Sequence, residues 1–170
     1  MIIKILLSIS FILAIGIFYL FTQSQNVMEI TREIEIKAPK NKVWAVVADI
    51  SGWSDVTTAV NASSGTMALG EVLSITMRGH KEGEDGPTYA PEFTEFENGT
   101  SFRWRATMGA GIIFTNDKKI VLEETENGTK LIHSEFFNGM MLPLMKGTMQ
   151  TGVPPILDEM NAGFKAASEG

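Results

Sequence analysis

Hydrophobic positions follow three rhythms along this chain. Residues 2–21, IIKILLSISFILAIGIFYLF, are apolar almost throughout, broken only by Lys4, Ser8 and Ser10. About 20 such residues span the hydrocarbon core of a bilayer as a helix, whereas the apolar region of a signal peptide usually runs to about 7–15. Residues 1–22 therefore read as an uncleaved membrane anchor. A cleaved signal peptide is the alternative, because Thr22-Gln23-Ser24 forms a weak cleavage site, and a buried soluble helix is a third. Residues 23–27 are a polar linker.

A period of two begins at residue 28. In VMEITREIEIKA, Met28, Ile30, Ile34 and Ile36 share one parity and mostly charged residues fill the other, which predicts a half-buried strand. Pro39 suits the first turn of a helix, and Val43, Trp44, Val47 and Ile50 continue at helical spacing until Gly52 stops them. A further short helical turn is expected around Ser54 to Thr58. Residues 59–138 then read as strands and turns. Leu73, Ile75 and Met77 alternate with polar positions, as do Phe102, Trp104, Ala106 and Met108 with Arg103, Arg105 and Thr107. Pro91 assigns its segment to an edge or a bulge. DKKIVLEETENG and TKLIHSEFFNG make two more strands. Asn98-Gly99 and Asn127-Gly128 predict tight hairpins, since type I′ turns need φ > 0 at both central residues. Arg103 and Arg105 are expected to face solvent, opposite the aromatic side of their strand.

After Gly139 the period becomes helical. Met141, Met145 and Met149 recur every fourth residue, and Ile156, Met160 and Phe164 repeat the spacing. Gly152 and Pro154-Pro155 are expected to break or kink the run between them and let the methionine-bearing half move. Strand, helix, antiparallel strands and long C-terminal helix make an α+β domain over residues 28–170, with a curved sheet gripping the helix.

This layout resembles the helix-grip superfamily (SRPBCC, START-like) that includes START lipid-transfer domains, the major birch pollen allergen and bacterial polyketide cyclase/dehydrase-like proteins. EIEIKAPKNKVWAVVADISGWSDV, 33–56, resembles the opening strand, helix and Trp-containing turn. KLIHSEFFNGMMLPLMKG, 130–147, resembles the last strand and the start of the long helix, and NGT before it resembles the final hairpin. The resemblance covers roughly 28–168 and is specific in layout rather than in residues. It implies a cavity between sheet and helix more than any one reaction. The interrupted helix and the N-terminal anchor depart from the usual pattern.

On that resemblance, Met141, Met145 and Met149 would line the cavity, with Trp53, Phe102, Trp104, Met108, Ile120 and Phe137 opposite them. Methionine is polarisable and adaptable enough to meet varied ligands, although plain core filling accounts for each of these residues as well.

Composition narrows the chemistry. The 14 basic and 20 acidic residues give a net charge of −6 without a basic cluster, which argues against nucleic acid or an anionic membrane surface as a main partner. The chain has no cysteine and only two histidines, His80 and His133, so thiolate and multi-histidine metal sites are excluded and no cofactor is called for. HKEGEDG, 80–86, does not fit a calcium loop and reads as a solvated hairpin. Asp49 and Asp55 read as turn and capping residues. Asn98-Gly99-Thr100 and Asn127-Gly128-Thr129 are glycosylation sequons only in a eukaryotic secretory setting. His133 and Glu135 share the parity of Leu131 and Phe137, which points both inward as acid/base candidates, short of the third group a catalytic site needs.

The resulting expectation is a membrane-tethered domain that binds or transports a hydrophobic small molecule or lipid. The alternatives are a polyketide cyclase/dehydrase-like enzyme using His133 and Glu135, and an interaction module whose interior is only a core. Lys4 ahead of the span, with no basic residue until Arg32, keeps the N-terminus cytoplasmic and the domain periplasmic or cell-surface. Cleavage would make it secreted instead.

Overall fold

The computed structural model describes residues 2–23, 26–79, 81, 83–109 and 111–170, so His80 lies outside the described residues. The first helix, α1, runs Ile2–Gln23. Its length, about 33 Å at 1.5 Å per residue, matches a bilayer core of about 30 Å. None of its apolar span from Ile5 to Thr22 is buried against the rest of the chain, unlike a helix in a soluble core.

The strand β1, Met28–Ile36, buries Ile30 and Ile36. Pro39 caps α2, Lys40–Ala48, and its carbonyl accepts from Lys42 and Val43. Val43, Trp44 and Val47 form the buried face of α2. The helix stops four residues ahead of Gly52. Asp49 then accepts a hydrogen bond from the Gly52 N–H and builds a 3-10 turn over Ile50–Gly52, and the single-turn helix α3, Trp53–Val56, follows.

Seven strands come next: β2 (Val60–Ser64), β3 (Ser74–Arg78), β4 (Asp85–Tyr89), β5 (Glu92–Glu97), β6 (Ser101–Met108), β7 (Phe114–Thr125) and β8 (Gly128–Asn138). Five of the strands pair antiparallel in the order β1-β8-β7-β6-β5, and β2-β3-β4 form a second sheet. A bridge between Val72 and Glu92 joins the two sheets, helped by the Leu73 N–H donating to the Pro91 carbonyl. Pro91 thus sits at a junction where its missing donor breaks no ladder. Both predicted hairpins form, but only Asn98-Gly99 lies wholly within its turn, between β5 and β6; in the β7–β8 hairpin Gly128 already pairs with Thr125, so Glu126-Asn127 make the turn. Together the strands make the curved antiparallel sheet of an α+β fold.

The C-terminal helix α4 is one run, Leu142–Glu169, with Pro154 and Pro155 inside it. This corrects the expected break. The prolines leave the carbonyls of Gln150 and Thr151 without helical donors, but both residues are exposed, where solvent can satisfy them. Burial of Leu142, Leu157, Met160 and Phe164 holds the helix on either side of the prolines. The buried stripe also differs from the expected one. It passes through Leu157, Met160, Asn161 and Phe164, while Ile156, expected in it, is exposed.

The core on this face is aromatic. Trp53 packs 5.3 Å from Trp104 and 5.4 Å from Phe164, ring centroid to ring centroid, and Phe102 meets Phe93 edge to face and Trp104 at a tilt. Such contacts contribute about 0.5–1.5 kcal/mol each beyond area burial. On the opposite face Arg103 and Arg105 are not simply solvent-facing, which is a second correction. Both reach the buried carboxylate of Asp117: Arg103 Nη2 lies 2.6 Å from Oδ2 and Arg105 Nε 2.6 Å from Oδ1. The guanidinium of Arg103 also sits 4.9 Å over the Phe136 ring. Burial works to raise the Asp117 carboxyl, but hydrogen bonds and charge from Arg105 and Arg103 hold it below the usual range.

Candidate functional site

Antiparallel register stacks the inward side chains of β6, β7 and β8 in layers. Leu122 lies opposite Leu131, Ile120 opposite His133, Lys118 opposite Glu135, and Asn116 opposite Phe137. On β6, Phe102, Trp104, Ala106 and Met108 complete the same layers. Polar groups on two adjoining rows, His133 beside Ile120 and the Lys118–Glu135 pair beside Trp104, therefore form a charged layer across an otherwise apolar face, with Leu131 and Leu122 on one side and Phe137 and Phe114 on the other.

Lys118 is the centre of that layer. Its Nζ lies 2.7 Å from His133 Nε2, 2.7 Å from Glu135 Oε1 and 3.9 Å from the Met160 sulfur. Two of the three ammonium donors thus meet strong acceptors, and the third has only a long contact to a weak sulfur acceptor. Helix α4 adds Asn161, whose Oδ1 lies 2.8 Å from His133 Nδ1. Because Lys118 donates to Nε2, the proton of a neutral His133 sits on Nδ1 and is donated to Asn161. The fully buried imidazole is pushed well below its usual pKa by burial first and by the Lys118 charge second, with the Asn161 bond opposing. Asn116 donates a short hydrogen bond to the second carboxylate oxygen of Glu135. Tyr89, on β4 and 46% exposed, is raised above the usual phenol range by partial burial first and by the charge of Glu135 second.

Exposure changes along this face. On β6, Phe102 and Trp104 are buried, Ala106 is half-buried and Met108 is exposed; on β7 burial falls off from Lys118 to Asn116 and Phe114. Helix α4 follows suit, buried at Leu157 and Met160 and half-buried at Val153, Met149, Met145 and Met141. The charged layer thus lies where a buried aromatic core gives way to a half-open apolar end. Two surface depressions, of about 380 and 640 Å³, lie elsewhere, beside Pro39 and the β7–β8 hairpin and beside Ser54 and Lys81. Both are shallow and open, so the buried polar groups, not the volume of these hollows, locate the site.

The residues singled out from the sequence fall into three groups. Trp53, Phe102, Trp104 and Ile120 belong to the packed core, and the Trp53 ring N–H donates to the Val47 carbonyl. Phe137 joins a second cluster with Ile30, Leu142 and Leu157, against which Met149 and Phe114 pack. Met108, Met141 and Met145 lie at the open end, Met108 largely exposed. His133 and Glu135 are together in the charged layer. Sequence reasoning missed Lys118, Asn116 and Asn161. The signal for Lys118 was a charge on the inward parity of Ile120 and Leu122, and for Asn161 a polar residue in the stripe between Leu157 and Phe164.

A curved antiparallel sheet closed over one long C-terminal helix defines a helix-grip domain. A family model described as "Polyketide cyclase / dehydrase and lipid transport" matches residues 28–169, and the chain belongs to that family. Among solved structures, the di-domain ARO/CYC StfQ from the steffimycin biosynthetic pathway superposes with a TM-score of 0.70 at 9% identity, covering 87% of this chain and 53% of that one. This chain thus spans about half of that di-domain protein. The Zhui aromatase/cyclase from Streptomyces sp. R1128 gives 0.65 at 16% identity over 84% of this chain and 94% of its own. Truncated norcoclaurine synthase from Thalictrum flavum gives 0.62 at 14% over 85% and 96%. Identities this low establish the shared fold. No curated protein sequence matches the chain. Family and fold together support a domain for hydrophobic ligands.

Proposed function

We propose that the domain binds a hydrophobic small molecule or lipid in its half-open end, with an oxygen of the ligand held against Lys118, Asn116 and Glu135. The observation that carries this reading is the charged layer itself. A buried ion pair scarcely repays its desolvation relative to well-packed apolar residues, so its place beneath an open apolar end points to recognition. Helix α1 tethers the domain to a membrane, and Lys4 orients it outside the cytoplasm.

The test uses the full chain in phosphatidylcholine nanodiscs with a diazirine-bearing fatty acid. Crosslinks should map to the peptide carrying Met141, Met145 and Met149, compete with unlabelled fatty acid, and weaken at least several-fold in Lys118→Met. Labelling confined to α1, or indifferent to competitor, would overturn the proposal.

The family description favours one further reading, a cyclase or dehydrase. Glu135 would then take a proton from the ligand and Lys118 would stabilise the developing oxyanion. His133, sealed behind Lys118, would position that lysine. Product formation from a β-keto thioester that is unchanged in Glu135→Gln would remove this mechanism.

A further inference from the structure

The sheet register places the tether and the open end together. Met28, the first residue of β1, pairs with Phe137; Asn138 pairs with Thr115, and Phe114 with Met108. The start of β1, the end of β8, the start of β7 and the end of β6 therefore form one row at one end of the molecule. Helix α4 begins there too, and its first turn is fastened to the β6–β7 loop: Met140 and Met141 donate to the carbonyls of Ile112 and Ile113. Glycines permit the fastening. A Cβ on Gly139, at φ +117°, would meet the Ile113 carbonyl oxygen at 2.5 Å, and one on Gly109 would meet the Ile113 side chain at 2.2 Å.

This end projects large apolar side chains into solvent: Val27 (61% exposed), Met108 (58%), Ile112 (51%), Ile113 (40%) and Leu144 (68%). The chain segments that build this rim carry no charge. Residues 22–28, 106–116 and 136–145 contain no Asp, Glu, Lys or Arg, although the chain has 34 such residues in all. The opposite end, around the β7–β8 hairpin, holds Lys37, Lys40, Glu123, Glu124, Glu126 and Lys130. An uncharged apolar rim facing a charged far end is the polarity of a body resting on a hydrocarbon surface.

The occupant follows from α1. The chain from Gln23 to Met28 reaches at most about 18 Å when fully extended, so a membrane-spanning α1 holds this rim within reach of the lipid it anchors in. We infer that Val27, Met108, Ile112, Ile113 and Leu144 dock on the bilayer that holds α1, turning the half-open end of the domain toward lipid. A ligand then passes between bilayer and site without crossing water. This inference rests on the anchor reading of α1.

The absence of cysteine makes site-directed nitroxide labelling direct. Single cysteines replace Ile12, Ile112, Leu144 and, at the far end, Asn127 in the full chain reconstituted in phosphatidylcholine nanodiscs. Docking predicts that labels at Ile12, Ile112 and Leu144 favour oxygen over an aqueous nickel chelate by about tenfold relative to Asn127. In Ile112→Asp/Leu144→Asp, a label at Met108 should move from lipid to water while Ile12 stays in lipid. If Ile12 reads as lipid but Ile112 and Leu144 read as water, docking is overturned and the anchor stands. Protection of Ile112 from both reagents means that a second protein copy covers the rim, which also overturns it. A water-exposed Ile12 overturns both readings.

Discussion

Lys118 meets His133 end to end, its Nζ 2.7 Å from the imidazole Nε2, in a layer where neither residue is more than 8% exposed. A cation held against a ring nitrogen keeps that ring neutral. Both residues are on neighbouring strands, and the helix supplies the acceptor that sets the tautomer.

The first prediction concerns pH. In the unfolded chain His133 takes a proton near pH 6.5, whereas in the folded chain its pKa is well lower. The unfolded state therefore binds more protons below 6.5, and stability present above that pH is lost as pH falls toward the folded value. The slope approaches about 1.4 kcal/mol per pH unit for one group. Denaturant unfolding at pH 7 and pH 5.5, above most carboxylate titration, should show this loss. His133→Gln should flatten it.

Lys118→Ala should cost about 3–5 kcal/mol, because it strands Glu135 and leaves the imidazole without its donor. The double variant Lys118→Met/Glu135→Leu should recover most of that loss in denaturant unfolding while remaining deficient in fatty-acid labelling. Recovery of stability without recovery of labelling separates recognition from folding. Equal loss of both in every variant would assign the layer to structure alone.

On the outer face Asp117 answers to two guanidiniums, so the three positions should not be equivalent. Asp117→Ala should destabilise by about 1.5–3 kcal/mol, since it removes a buried acceptor of charged hydrogen bonds while both guanidiniums keep access to solvent and Arg103 keeps Glu95. Arg105→Ala, at a half-exposed side chain and with Arg103 still in place, should cost only about 1 kcal/mol. Urea midpoints of the two variants measure the difference.

Two glycines of α4 predict opposite signs. A Cβ at Gly163 would lie 1.9 Å from the Val56 carbonyl oxygen, so Gly163→Ala must push α4 away from α3 and should cost about 1–3 kcal/mol. Gly152 has nothing within 4 Å, and Gly152→Ala should stabilise the helix by about 0.5–1 kcal/mol. Thermal melts of the two variants should move in opposite directions.

Much of this protein was legible along the chain because the deciding forces are local. An Asn-Gly pair marks the position of its hairpin without help from distant residues, and the period-two pattern fixed which face of β6 and β8 turns inward. That parity alone placed His133 and Glu135 on the inner face. The apolar run of α1 needed only its length. Local rules failed where packing outweighed them. Pro154 and Pro155 argue for a break, yet buried side chains on both sides keep α4 whole. Arg103 and Arg105 sit on the outer parity, yet a buried carboxylate one strand away gathers them in. The partnership of Lys118 with His133, Glu135 and Asn161 belongs to the same class. It joins residues 15, 17 and 43 positions away from Lys118 in sequence, brought together only by the β7–β8 register and the phase of α4. Periodicity specifies which way a side chain points; what it meets there depends on which elements pair and in what register, and those are set by long-range packing.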